Sequence, residues 1–239
     1  MAFMRGKSDS KVLIAGAGPV GLASALVLHK KGIPFEIIER DDRAGTHSYA
    51  LALHPATLQT LRDWGLDKRL KDSSVTVRHL LFCDREKPRY NLDLTRIPGA
   101  ESGLLVVGQD HLEEALFAPL ESSHHPVLWS HRLASLQQSD ASVELHLERL
   151  GEGMSGYAMA RLEWQVEREL TRHAAFVIGA DGHFSMVRRQ LGIDFPKVAP
   201  TQSFAVFEFK TDFQLGDRAH VIFDESGTSI LWRLLPLGS

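Results

Sequence analysis

The sequence predicts an α/β fold: an open parallel sheet, an antiparallel β-meander, and then the start of a second, sheet-built region. Three observations carry this expectation. A short apolar strand, Lys11–Ala15, runs through Gly16 and Gly18 into a helical pattern. A second apolar strand, Phe35–Ile38, follows at the spacing of one βαβ unit of about thirty residues. Much later, Ala174–Ile178 is again wholly apolar and ends in Gly179.

Each element has its own signal. Lys11–Ala15 is nearly all apolar, as a strand covered on both faces must be. From Pro19 to Lys31, Val20, Ala23 and Val27, with Leu22, Ala25 and Leu26, recur at helical spacing. Gly32 suits the end of that helix and Pro34 forbids its continuation. Two parallel strands joined by a helix imply a right-handed crossover. Pro55–Trp64 reads as a helix with proline in its first turn and Gly65 behind it. Val75–Asp84 and Tyr90–Leu94 read as strands around the charged turn Asp84–Arg89, and Leu104–Val107 as a short strand. Asp110 suits the N-cap of the next helix, with Glu113 and Glu114 favourable near its positive end. Val127–Gln137, Val143–Glu148 and Leu162–Arg168 alternate as a meander would, with a loose turn at Met154–Ala160. After Gly192 the pattern becomes Phe-rich, with strands expected around Phe204, Val206 and Phe209, then Val221 and Phe223, then Ile230 and Trp232. The expected division is therefore residues 1–197 and 198–239.

Composition excludes several classes. The 239 residues suit one large domain, and 44% hydrophobic with 24% charged residues is ordinary for a globular protein. A net charge of -3 gives no electrostatic case for nucleic acid or an anionic membrane. No apolar run approaches the roughly 18 residues of a membrane-spanning helix, and no signal-peptide pattern follows Met1, so a cytoplasmic protein is expected. The lone Cys83 reads as a small buried hydrophobe. His124, His125 and the other histidines lack metal-ligand spacing, so no metal is expected. No Gly-x-Ser-x-Gly elbow is present, and no catalytic side chain can be assigned. Phe204, Phe209 and Trp232 suit a core more than a substrate pocket.

The first chemical motif is Gly16-Ala17-Gly18-Pro19-Val20-Gly21, set between strand and helix. Gly16 permits the tight turn, Gly18 lets backbone approach a pyrophosphate, and Gly21 allows close helix–sheet packing. The helix N-terminus offers N–H groups and a partial positive charge to phosphates. Glu39, at the end of the second strand, can accept hydrogen bonds from the ribose hydroxyls of an adenosine. It would repel a 2′-phosphate, which favours FAD or NAD over NADP in this crevice. The residues alone leave FAD and NAD open. A plain strand-to-helix turn with a surface glutamate is the simpler alternative. A second constellation, Asp181-Gly182, follows a strand expected to end at the sheet's carboxyl edge, where ligands of such sheets bind. Asp181 equally suits an N-cap for the helix that holds Arg188 and Arg189.

Over nearly its whole length the sequence resembles the flavoprotein monooxygenases related to para-hydroxybenzoate hydroxylase, the class A aromatic hydroxylases. Three stretches carry the likeness: Val12–Leu22 with Glu39-Arg40, Gln109-Asp110-His111-Leu112-Glu113, and Gly179–Arg188. The resemblance implies a Rossmann-like FAD-binding domain over 1–197 and the start of a β-sheet substrate domain over 198–239. It implies FAD bound by Gly16, Ala17, Gly18, Pro19, Val20, Gly21, Glu39, Arg40, Gln109, Asp181 and Gly182. It further implies NADH or NADPH as reductant, O2 as co-substrate, and hydroxylation of a small aromatic or similarly electron-rich compound. Two features depart from the pattern. Tyr49 stands where the family usually has arginine and cannot supply a fixed positive charge. The family's later Gly-Asp motif has no counterpart after Leu235, so the chain is expected to be the N-terminal portion of such an enzyme. A non-catalytic FAD-binding fragment and an NAD-dependent dehydrogenase are the competing expectations.

Overall fold

The computed structural model describes residues 12–42, 50–99, 103–123, 127–154, 162–200, 203–225 and 227–235. The chain opens with β1 (Val12–Ala15), α1 (Pro19–Lys30), β2 (Phe35–Ile38) and β3 (Ala50–Leu53). Next come α2 (Pro55–Asp63), α3 (Asp67–Lys71), β4 (Ser74–Val77), β5 (His79–Asp84) and β6 (Lys87–Asp93). β7 (Leu104–Gly108) leads into α4 (Gln109–Ser122), followed by β8 (Val127–Leu128) and β9 (His131–Gln138). β10 (Val143–Met154), β11 (Leu162–Ala174), β12 (Phe176–Gly179) and α5 (Met186–Gln190) follow, before β13 (Arg218–Asp224) and β14 (Gly227–Leu231).

Two compact units share these elements: residues 1–46 with 116–201, and residues 47–115 with 202–239. Residues 202–239 lie in the second unit. The second unit also draws in 47–115, a long-range association that no local composition shift marks.

In the first unit the parallel sheet runs β12-β1-β2-β8, and the meander runs β11-β10-β9. All four residues of β1 are buried. Alternation sends Leu13 and Ala15 to one face, where they join Leu133, Leu136, Leu145 and Leu147 of the meander in one core. On α1, Leu22, Ala25 and Leu26 are buried and the helix packs on β1 and β2. Both faces being covered explains why β1 shows no polar position. Arg172 of β11 reaches Glu36 of β2 at 3.3 Å, a mostly buried ion pair between meander and parallel sheet.

The expected strand Val127–Gln137 divides. Val127 and Leu128 pair parallel with Ile37 and Ile38, and the chain turns at Trp129 and Ser130, where Ser130 has φ 57°. Only then does β9 enter the meander. The expected strand Ala174–Ile178 also shifts: Ala174 ends β11, and β12, which pairs parallel with β1 on the side away from β2, begins at Phe176. Ser155–Ala160, most of the expected loose turn, lies outside the described residues.

The second unit holds an antiparallel sheet ordered β3-β7-β4 and a mixed sheet ordered β14-β13-β5-β6. Its buried core includes Val77, Val106 and Ala219, against which Leu80, Leu104 and Trp232 pack. The expected strand Val75–Asp84 breaks at Arg78, whose N–H donates to Asp217 O and whose carbonyl accepts from Leu94 N. Its two halves therefore serve different sheets. The turn after β5 is shorter than expected and centres on Arg85, at φ 54°. β3 and α3 have no counterpart in the sequence reading. Cys83 is buried, as expected. The strand expected around Phe204–Phe209 does not form: residues 203–215 carry no ladder, and Phe204 is 88% exposed. The expected strands around Val221 and Ile230 do form, as the β13–β14 hairpin.

Leu145 is fully buried between meander and parallel sheet. Leu145→Ala is expected to destabilise the first unit by about 2–5 kcal/mol, read as a lowered melting temperature. An unchanged melt would show that this core does not hold the two sheets together.

Candidate nucleotide-binding site

The site is built where β12, β1 and β2 end side by side. The chain leaves β1 through α1 toward β2, while β12 returns on the other side, so the strand order reverses at β1. Open α/β sheets bind ligands at such a switch point, beyond the carboxyl ends of the strands. Gly16 N donates to Ile38 O at 2.8 Å and Ala180 N donates to Ala15 O at 2.8 Å, fixing the three strand ends together.

The three glycines have different reasons to be glycine. Gly16 has φ 105°, and a Cβ there would strike the carbonyl of Ala180. A Cβ on Gly21 would land on the carbonyl oxygen of Gly16. Both are dictated by packing within the protein. Gly18 has φ -70° and a Cβ there would meet nothing within 4 Å. Nothing in the fold requires glycine at Gly18, whereas a ligand lying against the turn would. Ala17 is buried, Pro19 opens α1, and Val20 stands 67% exposed on its first turn.

Glu39 closes the other side. Its Oε2 accepts from Ala17 N at 2.7 Å and its Oε1 from Asp41 N at 3.1 Å. The carboxylate is thereby held against the glycine turn. Arg40 is exposed, with Nε 3.6 Å from the Asp41 carboxylate.

Asp181 is not the N-cap residue of α5, which is Ser185, but it supports that cap. Its Oδ1 accepts from the Ser185 hydroxyl at 2.5 Å, and its Oδ2 accepts from Met186 N at 2.5 Å and Val187 N at 3.2 Å. Ser185, the N-cap residue of α5, accepts from Arg188 N at 3.0 Å. Both carboxylate oxygens are thus engaged in holding the Asp181-Gly182 loop on α5, with Gly182 at φ 77°. Val187 and Met186 seat α5 on the same core as β1. The His183 ring meets Phe195 edge-on at 5.3 Å, and the Arg188 guanidinium lies 4.4 Å from the Phe195 ring centre. This cluster escaped the sequence reading, because nothing in the spacing of His183, Arg188 and Phe195 announces it.

The structure therefore brings Gly16–Gly21, Glu39, Asp181 and Gly182 to one sheet edge. Gln109 belongs to the second unit, at the start of α4. There its Nε2 donates to Glu113 Oε1 at 2.8 Å, a pairing legible only as a spacing of four on a helix. Asp110, expected as an N-cap, instead lies inside the first turn of α4. Tyr49 lies outside the described residues, as do His124 and His125. Among the described residues no group of His, Cys, Asp and Glu is arranged to hold a metal. Nor is any of their helices long and apolar enough to cross a membrane.

A glycine turn open at Gly18, a helix N-terminus and a carboxylate held against the turn have the form of a dinucleotide site in an α/β protein. The dinucleotide is FAD: a family model described as the FAD binding domain matches residues 9–228, and the chain belongs to that family. The 6-methylpretetramide 4-monooxygenase of Streptomyces rimosus is 30% identical over 95% of this chain and 40% of its own length. The para-nitrophenol 4-monooxygenase of Pseudomonas sp. (strain WBC-3) is 26% identical over 93% of this chain and 53% of its own. The crystal structure of p-nitrophenol 4-monooxygenase PnpA from Pseudomonas putida DLL-E4 shares the fold. It matches with a TM-score of 0.65 at 20% identity, over 77% of this chain and 43% of that one. The chain thus spans about half or less of the length of these relatives.

The two packing classes of glycine separate experimentally. Gly21→Ala is expected to lower stability by about 2–3 kcal/mol in a thermal melt without cofactor. Gly18→Ala is expected to change that melt by less than about 1 kcal/mol, while weakening FAD binding in a fluorescence titration. Equal melts for the two variants would contradict the assignment.

Proposed function

We propose that the protein is an FAD-dependent monooxygenase that hydroxylates a small aromatic or similarly electron-rich compound, with NADH or NADPH as reductant and O2 as co-substrate. The observation that carries the reading is the family membership joined to the open glycine turn at Gly18. The names of the relatives support it, since both are monooxygenases and one is named for para-nitrophenol, an aromatic compound. A cytoplasmic setting belongs to the same proposal.

In this reading Gly16, Ala17, Gly18, Pro19, Val20 and Gly21 cradle the pyrophosphate, with the N–H groups at the start of α1 as donors. Glu39 receives the adenosine ribose, and Arg40 flanks it. Asp181 holds Gly182 in place through α5, so that the loop's backbone is presented to the cofactor. Gln109 supplies a further contact from α4. The sheet of β13 and β14, within residues 198–239, belongs to the substrate region. FAD, when bound, supplies the redox and oxygen chemistry, while the protein binds, orients and excludes water. No side chain of this chain is given a proton-transfer role.

Glu39→Ala is expected to weaken FAD binding by about tenfold or more, the loss of hydrogen bonds to a charged acceptor. An unchanged FAD dissociation constant would remove Glu39 from the site. The activity is tested by supplying FAD, NADH or NADPH, O2 and a panel of phenols. Oxidation of the nucleotide matched by hydroxylated product is the expected result. Bound FAD that neither nucleotide reduces would contradict the monooxygenase reading and leave the binding reading standing.

A further inference from the structure

The corner between β8 and β9 is fastened to the strand end that carries Glu39. Glu39 N donates to Leu128 O at 3.0 Å, His131 N to Glu39 O at 2.7 Å, and Ser130 N to Asp41 O at 2.8 Å. These backbone bonds lock residues 128–131 beside Glu39, within the first unit. Ser130 turns the chain there at φ 57°, a left-handed value uncommon for serine. The large aromatic side chain on the corner is Trp129, which is half-buried. Phe117 of α4 meets its ring near edge-on, with centres 6.2 Å apart and planes at 76°.

The order of the strands gives each part of the dinucleotide a place. The turn after β1 receives the pyrophosphate, and Glu39 after β2 receives the ribose. In adenosine the base hangs from C1′ of the ribose and the phosphates from C5′, at opposite ends of the sugar. The base therefore continues along the sheet edge, away from the glycine turn. On the far side of β1 stands β12 with the Asp181-Gly182 loop, and past β2 stands β8. Neighbouring strands lie about 4.8 Å apart, close to the step from a sugar to its base. The next group along the edge is the corner that carries Trp129. An indole is flat, and it offers a purine a stacking surface that needs no matched hydrogen bond.

We propose that Trp129 is a binding residue that stacks on the adenine of FAD. The inference rests on the FAD reading and on Glu39 as the ribose acceptor. The backbone bonds to Glu39 and Asp41 hold the corner at a fixed spacing from that acceptor, and Phe117 limits the ring's freedom. Little ordering is then lost on binding.

The test uses ADP, which carries the adenosine and the pyrophosphate but no flavin, and follows tryptophan fluorescence in the wild type and W129F. A stacked base quenches an indole, so ADP is expected to quench the wild type. W129F keeps an aromatic face and is expected to bind ADP within about threefold of wild type, measured by displacement of FAD, while losing most of the quench. W129A is expected to weaken FAD and ADP by about fivefold or more, and to leave the affinity for FMN, which has no adenine, unchanged. A quench that persists in W129F, or FAD binding unchanged in W129A, overturns the proposal. Equal losses for FAD and FMN do so as well, because they make the ring merely a structural partner of Phe117. Should W129A fail to fold, the quench in W129F decides alone. A wild type that binds neither FAD nor ADP fails the underlying reading instead, whereas one that binds both without a quench fails only the stacking.

Discussion

The burial of β1 on both faces is the constraint from which the rest of the first unit follows. With the meander against Leu13 and Ala15 and α1 on β1 and β2, no side chain of the strand is free to carry chemistry. Function is displaced to the strand's carboxyl end, where the backbone must turn within a few residues. Gly16 and Gly21 exist to let that turn pass beneath α1 and beside Ala180. The same crowding brings the turn, Glu39 and the Asp181-Gly182 loop together at one edge. Packing thus dictates Gly16 and Gly21, while Gly18 is the glycine of the turn that packing leaves unexplained.

Asp181 is spent on local structure, at the edge where the glycine turn also lies. Both of its oxygens are taken by the Ser185 hydroxyl and by the first N–H groups of α5. The helix-cap and ligand-loop readings of this aspartate had looked like alternatives. In the structure Ser185 is the N-cap residue of α5, and Asp181 reinforces that cap from four residues upstream, beside Gly16. Glu39 has a similar double position, since Ala17 of the glycine turn already donates to it. An acceptor tied to the turn is pre-oriented, which lowers the ordering cost of meeting a ligand.

Much of this was legible in the sequence, and the reason is locality. β1, α1 and β2 follow from apolar runs, Pro19 and Gly32, all within one βαβ unit, and the glycine turn lies inside it. The meander was visible in its alternation. What failed depended on partners far away in sequence. Arg78 breaks a continuous β-pattern because its N–H finds Asp217, and Val127-Leu128 leave the meander because β2 offers a parallel edge. The aromatic alternation of Phe204–Phe209 looked like a buried strand, yet a strand needs a neighbour to pair with, and residues 203–215 have none in a ladder. The orientation of Gln109 was equally out of reach, because residue types and spacing give a contact but not which end of an amide makes it.

We propose that FAD, the cofactor of the matched family, rather than NAD is the dinucleotide held where Gly16–Gly21 and Glu39 converge at the end of β1. The most direct measurement is the visible absorption of the purified protein after incubation with FAD and removal of the excess, repeated with a large surplus of NAD. The account predicts flavin colour that stays with the protein and that NAD does not displace. A protein that emerges colourless while binding NAD, or that gives up its flavin to NAD, would contradict it.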